Sequence, residues 1–474
     1  MKIDARSIES RYQNGNALRM SGKFAEAENE FLGLLAIAPT HRDAAYSLAF
    51  MLREQGRTNT ASEVVCAWWR SSKPDADATL STIGFLIECS SYELANEIVR
   101  ASVQRWPLDA RLAARAGEIA LALGDFDDAR AALDTAVDLD PNQSASWLRL
   151  SYCQRYREIS ETDFARFASI VENPKSNQVT RICAGFALGK AYDDIAEFER
   201  ATVALTSANS LAKRTSRWTR DIWQTFVERR LRDKFPSARS QTHFAPVFII
   251  GMPRTGTTLV STILSRSRDV RDRGELNWIP AIYAQLAEAG RLNDPEALRA
   301  CAQLIEIQMR RDDAPARCYV DKNPLNFAYV DFILALFPDA RFIYCRRDAR
   351  DTALSIWMQH FAHDDLGFAY DFSNIAQVDA DHRRMMRQWK TQFASHIVEL
   401  EYEALVDDVD GYADRLAAFL SIESGLRDVG KTVGQTLTTA SVWQARQPVY
   451  TRSVGRWRSY VPFIPQLESL FESR

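Results

Sequence analysis

"PVFIIGMPRTGTTLVSTIL", Pro246 to Leu264, decides the fold. The apolar run Val247 to Ile250 ends at Gly251, and a helical pattern opens at Thr257. A short buried run that breaks at glycine and restarts as a helix is the strand–loop–helix unit of a parallel sheet. The turn almost spells the phosphate-binding pattern G-x-x-x-x-G-K-[ST]. Gly251 and Gly256 fit, Thr258 supplies the last hydroxyl, and Thr257 stands where the lysine belongs. A loop that opens a helix converges backbone N–H groups on one point, where the helix dipole also favours an anion. The two glycines let the backbone approach closely, Thr257 and Thr258 add hydroxyl donors, and Arg254 adds a fork-shaped cation. The stretch therefore predicts a phosphate cradle. Its missing lysine weakens the case for a γ-phosphate substrate.

Two more units of the same kind follow. "CYV" runs into "DKNP" and a helical stretch, and "RFIYC" runs into "RRDARD" and another. Repeated units predict a parallel sheet covered by helices, with ligands beyond the carboxyl ends of the strands. Arg347 ends one strand and Ser355 lies on the next helix, so the two can bind a phosphate monoester. An ATPase needs a magnesium carboxylate, and Asp348 is the tempting match. It is flanked by Arg346, Arg347 and Arg350, a poor setting for a dication and a good one for a second phosphate. Two anion sites on neighbouring strands suggest a nucleotide phosphorylated at both ends.

The first half of the chain has a different grammar. Pro39, Pro74, Pro107 and Pro141 recur at nearly constant spacing, and so do Ala27, Ala61, Ala95 and Ala129. Phe24, Tyr92 and Phe126 precede three of these alanines, and Thr58 fills the remaining slot. The small residue lets paired helices approach, the aromatic fills the space beside it, and proline ends the second helix. This period resembles the tetratricopeptide repeat, a helix–turn–helix solenoid. A degenerate copy carries Phe198 and Ala201, and "RYREISETDFARFASIVENPKSNQ" interrupts the array before it. The expected organisation is multidomain α plus α/β: an α-solenoid over 1–212, a helical connection over 213–243, and a P-loop-like parallel-sheet domain over 244–474.

Composition narrows the setting. A net charge of −3 argues against a nucleic-acid partner. The seven cysteines are scattered with no C-x-x-C pair, which suggests reduced thiols and a cytoplasmic location. The start, "MKIDARSIES", lacks the apolar core of a signal peptide, and no apolar run has the length of a membrane span. His360 and His363 lack the neighbours of a zinc site, and Trp68 and Trp69 read as packing. No metal is expected.

"PRTGTTL", "RRDARDTALS" and "VYTRSVGRWRSY" resemble the ordered nucleotide motifs of sulfotransferases, in a tyrosylprotein-sulfotransferase-like form fused to tetratricopeptide repeats. The resemblance runs from about Phe244 onward, plus the array. It implies 3′-phosphoadenosine 5′-phosphosulfate (PAPS) as donor and a hydroxyl-bearing acceptor. A peptide tyrosine held by the array, a glycan, a lipid and a small metabolite are all compatible. By the same resemblance Arg254, Thr255, Gly256, Thr257 and Thr258 form the 5′ loop, and Arg347 and Ser355 grip the 3′-phosphate. Tyr402 contacts the nucleotide, Ser441 to Tyr450 form a late nucleotide loop, and Arg456 takes the place of a later lysine. Glu275, in "GELNW", falls at the general-base position. Lys322, in "DKNP", falls at that of the lysine stabilising the leaving phosphate oxygen, a task shared by Arg254. Ser441 would hydrogen-bond near the transferred group. The sequence departs from the family at Gln359, where a further 3′-phosphate arginine is expected. The rival readings are a P-loop kinase or NTPase, and a repeat-protein adaptor whose sulfotransferase-like domain is inactive.

Overall fold

A computed structural model describes residues 5–236, 244–361, 364–422, 426 and 453–471. The chain opens with helix–turn–helix pairs: α1 (Ala5–Met20) with α2 (Phe24–Ile37), and α3 (Arg42–Glu54) with α4 (Thr58–Ser72). Next come α5 (Ala76–Glu88) with α6 (Tyr92–Arg105), and α7 (Ala110–Leu123) with α8 (Phe126–Leu139). Pro39, Pro74, Pro107 and Pro141 each lie just past the second helix of a pair, where proline cannot continue the helix. The next helix starts on a side-chain cap in three cases: His41, Asp75 and Asp109 accept from the backbone N–H groups of Ala44, Ala78 and Arg111. The periodic alanines Ala27, Ala61, Ala95 and Ala129 are fully buried. Tyr92 and Thr58 are buried with them, whereas Phe24, in the first pair, is 44% exposed.

After α9 (Ser144–Tyr152) and the interrupting α10 (Thr162–Glu172), a last pair forms from α11 (Gln178–Asp194) and α12 (Phe198–Thr215). One more helix, α13 (Arg220–Arg232), leads to the sheet. Its strands are β1 (Val247–Gly251), β2 (Val270–Asp272), β3 (Cys318–Asp321), β4 (Arg341–Arg346) and β5 (Ile397–Glu401). Their order is β2-β3-β1-β4-β5, and every neighbouring pair is parallel. The connections from β1 and β4 leave in opposite directions, so the crevice for a ligand falls beyond their carboxyl ends. There Gly251 pairs with Cys345. Helices cover both faces. Phe248, Ile250, Phe342 and Tyr344 share one core with α15 (Trp278–Glu288), α16 (Pro295–Arg310), α17 (Val330–Leu336) and α19 (Phe372–Gln392). Val247, Ile249, Ile343 and Cys345 share another with α14 (Thr257–Leu264). This alternation along each strand is what burial on two faces requires.

Among the described residues, the repeats and the sheet domain are joined in two places. Ile182 and Phe186 of α11 and Leu205 and Ala208 of α12 form one core with Leu354 and Trp357 of α18 (Ala349–Trp357). Trp457, Tyr460, Ile464 and Leu467 belong to the same core. Farther along the array, the Asp312 carboxylate accepts from the Asn59 and Thr60 backbone N–H groups, each at 2.8 Å, and so caps the start of α4. Gln308 donates nearby to the Arg53 and Glu54 carbonyls.

Candidate active site

Each strand of the five-stranded sheet delivers sequence-predicted residues just beyond its carboxyl end. The glycine loop with Arg254 to Thr258 follows β1, Glu275 follows β2, Lys322 follows β3, Arg347 follows β4, and Tyr402 follows β5. The strand order puts Glu275 and Lys322 on one side of the glycine loop and Arg347 and Tyr402 on the other.

The loop is shaped by close approaches. Gly251 has φ +147, and a Cβ there would lie 2.4 Å from the Cys345 carbonyl oxygen. Gly256 has φ +94, and a Cβ there would strike the Tyr402 ring at 2.5 Å. Arg254 itself sits at φ +72, a left-handed conformation that costs a non-glycine residue about 1–3 kcal/mol. Its Nε donates to Ser355 Oγ at 3.1 Å. The Thr255 hydroxyl is turned inward, donating to the Met252 carbonyl at 2.7 Å. Thr257 and Thr258 open α14, whose first N–H groups have no partner within the helix.

On the β4 side, Arg347 is buried and donates to the Arg254 carbonyl at 3.1 Å and to the Ser453 carbonyl. Its guanidinium lies 4.8 Å from the centre of the Tyr402 ring, and the Tyr402 and Ser453 hydroxyls are 2.7 Å apart. Asp351 accepts from the Gly455 N–H at 2.6 Å and the Trp457 N–H at 2.9 Å, pinning the 453–457 segment over this side. Burial raises the Asp351 carboxyl above its ordinary range, against the pull of Arg347. Arg456 pairs with Asp193 of α11. Asp348 is committed elsewhere: it caps α18 at the Arg350 N–H, 2.9 Å away, and holds the Arg350 guanidinium at 2.7 Å. That leaves the tempting magnesium carboxylate serving a helix end. Among the described residues, no three His, Cys, Asp or Glu side chains cluster as a metal site.

On the β3 side, Lys322 Nζ donates to Glu275 Oε1 at 2.6 Å. The lysine side chain is 3% exposed and the glutamate side chain 52%, so the pair presents its carboxylate outward. Two residues that sequence reasoning passed over hold this pair in register. Asp321 accepts from the Leu276 N–H at 3.3 Å and from Asn326 Nδ2 at 3.0 Å. Asn323 Nδ2 donates to the Leu276 carbonyl at 2.9 Å. Their signal was present in "DKNP", a polar cluster between two apolar runs. Burial pushes the Asp321 carboxyl up to about 7. Ser441 and the stretch to Tyr450 lie outside the described residues. His360 is packed between Phe186 and Tyr370, and burial pushes it down to about 4.

Residues 246–425 match the sulfotransferase family, and residues 86–151 match the tetratricopeptide repeat. The chain thus carries a sulfotransferase domain behind tetratricopeptide repeats. An uncharacterized protein of Aquifex aeolicus is 26% identical over 97% of this chain and 69% of its own length. The protein-tyrosine sulfotransferase 1 of Danio rerio is 27% identical over 46% of this chain and 66% of its own. A sulfotransferase domain from the Synechococcus PCC 7002 olefin synthase covers 51% of this chain and 100% of its own, at 16% identity and a TM-score of 0.36. Among the described residues, no helix is long and apolar enough to cross a membrane.

Proposed function

We propose that this chain moves a sulfuryl group from PAPS to a hydroxyl acceptor, with Glu275 as general base. One observation carries the reading: the 2.6 Å contact between Glu275 and Lys322 stands beside the glycine loop, with Arg347 across from it. When bound, PAPS supplies an activated sulfuryl group on a good leaving phosphate. The residues present fit such a nucleotide, anionic at both its 3′ and 5′ ends. The N–H groups opening α14, with Thr257, Thr258 and the Gly256 backbone, hold the 5′-phosphate. Thr255 shapes that loop from within. Arg347 and Ser355 hold the 3′-phosphate and Tyr402 walls the pocket. Ser441 and Arg456 are the further nucleotide contacts that the resemblance implies, although Arg456 is here engaged by Asp193 of α11.

An acceptor hydroxyl is a weak nucleophile, and the outward carboxylate of Glu275 can take its proton as attack proceeds. Lys322 and Arg254 offset the charge that grows on the leaving oxygen, and no metal is needed for that task. Among hydroxyl acceptors we favour a peptide tyrosine, because the Danio rerio relative is a protein-tyrosine sulfotransferase and the repeat array offers a surface for a peptide. The seven cysteines are scattered with no C-x-x-C pair, and on that ground we favour a reducing, cytoplasmic setting.

Thermal shifts with adenosine 3′,5′-bisphosphate, ADP and ATP test the donor. The bisphosphate should stabilise the protein and ADP barely so. Equal shifts from the first two remove the 3′-phosphate site, and an ATP shift that requires magnesium favours a kinase.

A further inference from the structure

Tyr152 ends α9 of the repeat region, yet its hydroxyl donates to Gln359 Oε1 at 3.3 Å. Gln359 lies just past α18, four residues after Ser355. Ser355 in turn accepts from Arg254 Nε. The Arg254 guanidinium is near enough to pull on the Tyr152 hydroxyl, although burial dominates and holds that phenol well above its ordinary value. Three separate parts of the chain therefore meet on one wall: the glycine loop, the α18 region and the repeat array. Arg254, Ser355, Gln359 and Tyr152 are all half-buried there.

Gln359 stands where the sulfotransferase resemblance expects an arginine. A primary amide is ambivalent toward an anion, since its oxygen repels and its nitrogen donates two N–H bonds. A phenol hydroxyl donating to the oxygen decides which end is left for the anion. Tyr152, a neutral hydroxyl donor, does this from the repeat region.

We propose that Tyr152 and Gln359 together replace the missing arginine of the 3′-phosphate site. Tyr152 fixes the amide through Oε1, and Gln359 Nε2 donates to the phosphate monoester. Gln359 is then a binding residue and Tyr152 a positioning residue supplied by the repeat array. The ligand's identity rests on the sulfotransferase reading above.

Calorimetry on the full chain with adenosine 3′,5′-bisphosphate and adenosine 5′-monophosphate isolates the 3′-phosphate. The wild type should prefer the bisphosphate; a lack of preference overturns the donor assignment itself and is read before any variant. Tyr152→Phe should weaken the bisphosphate about three- to tenfold and leave the monophosphate unchanged, the size of one net hydrogen bond. Gln359→Glu keeps an oxygen for Tyr152 but presents a carboxylate to the phosphate. It should weaken the bisphosphate more than about tenfold, again sparing the monophosphate. A merely structural pair would move both nucleotides together. Equal losses on both, or wild-type affinity for the bisphosphate in either variant, overturn the proposal while leaving the sulfotransferase reading standing.

Discussion

Glu275 Oε1 and Lys322 Nζ lie 2.6 Å apart, with the lysine buried and the glutamate half-exposed. The contact joins the loop after β2 to the loop after β3, and both residues are assigned to the transfer step. Glu275→Ala should lower transfer by about 10²–10⁴-fold. Nucleotide affinity should be unchanged or slightly improved, because a carboxylate near an anionic donor is removed. Glu275→Gln keeps the shape but cannot take the proton, so it should fail alike. Single-turnover transfer beside donor calorimetry checks this, and a variant retaining more than about a tenth of the rate places the base elsewhere.

Arg347 should show the reverse pattern. Its guanidinium sits over Tyr402 and ties the Arg254 and Ser453 carbonyls together. Arg347→Lys keeps a charge but loses the planar fork. Bisphosphate affinity should fall by about 1.5–3 kcal/mol, the value of one charge-assisted bond, with a smaller loss of rate at saturating donor. A rate loss without an affinity loss would contradict the assignment.

Asp321 gives a pH signature. Its carboxyl is raised from 3.8 to about 7, chiefly by burial. Between those two values the folded state holds a proton that the unfolded state has lost. The linked stability is therefore full below the unfolded value and is lost as pH rises through 7. Asp321→Asn removes the term. Between pH 5 and pH 8 the variant should gain on the wild type by on the order of 2 kcal/mol. Urea unfolding of both proteins at the two pH values measures it, and a constant difference refutes it.

A chain begun at residue 215 should not fold. It lacks α11 and most of α12, and so uncovers Trp357, Phe368, Ile375 and Tyr460, all buried against them. Expression of that fragment and its near-ultraviolet circular dichroism are the check. A compact fragment that binds bisphosphate would show that the last repeat is dispensable.

The sheet and the array were legible because their signals are local. Each proline that marked a repeat lies just beyond a helix, and the three apolar runs read as strands became β1, β3 and β4, whereas the short β2 and the half-exposed β5 were not read from the sequence. The glycine loop was legible for the same reason, since its spacing fits one turn. The pairing of Glu275 with Lys322 was not, because the two belong to different units and nothing in either stretch names the other. Tyr152 was hidden more deeply. It looks like an ordinary helix aromatic until the fold brings it to Gln359. The core shared by α11, α12 and α18 was equally hidden, since alanine and leucine in an amphipathic helix do not declare their partner.

That shared core also orders events in time. The Tyr460 hydroxyl reaches Asp193 across 267 residues of chain, and its ring packs on Phe198 at the start of α12. A ribosome delivers α11 and α12 long before it delivers their cover. The apolar face of that repeat must wait through the synthesis of the entire sheet, exposed to any sticky neighbour. A chain stalled or clipped just before Trp457 would leave that core without Trp457, Tyr460, Ile464 and Leu467, closed by α18 and its neighbours alone. Delivery of Trp457 to Phe471, more than the formation of any single unit, is what closes this core.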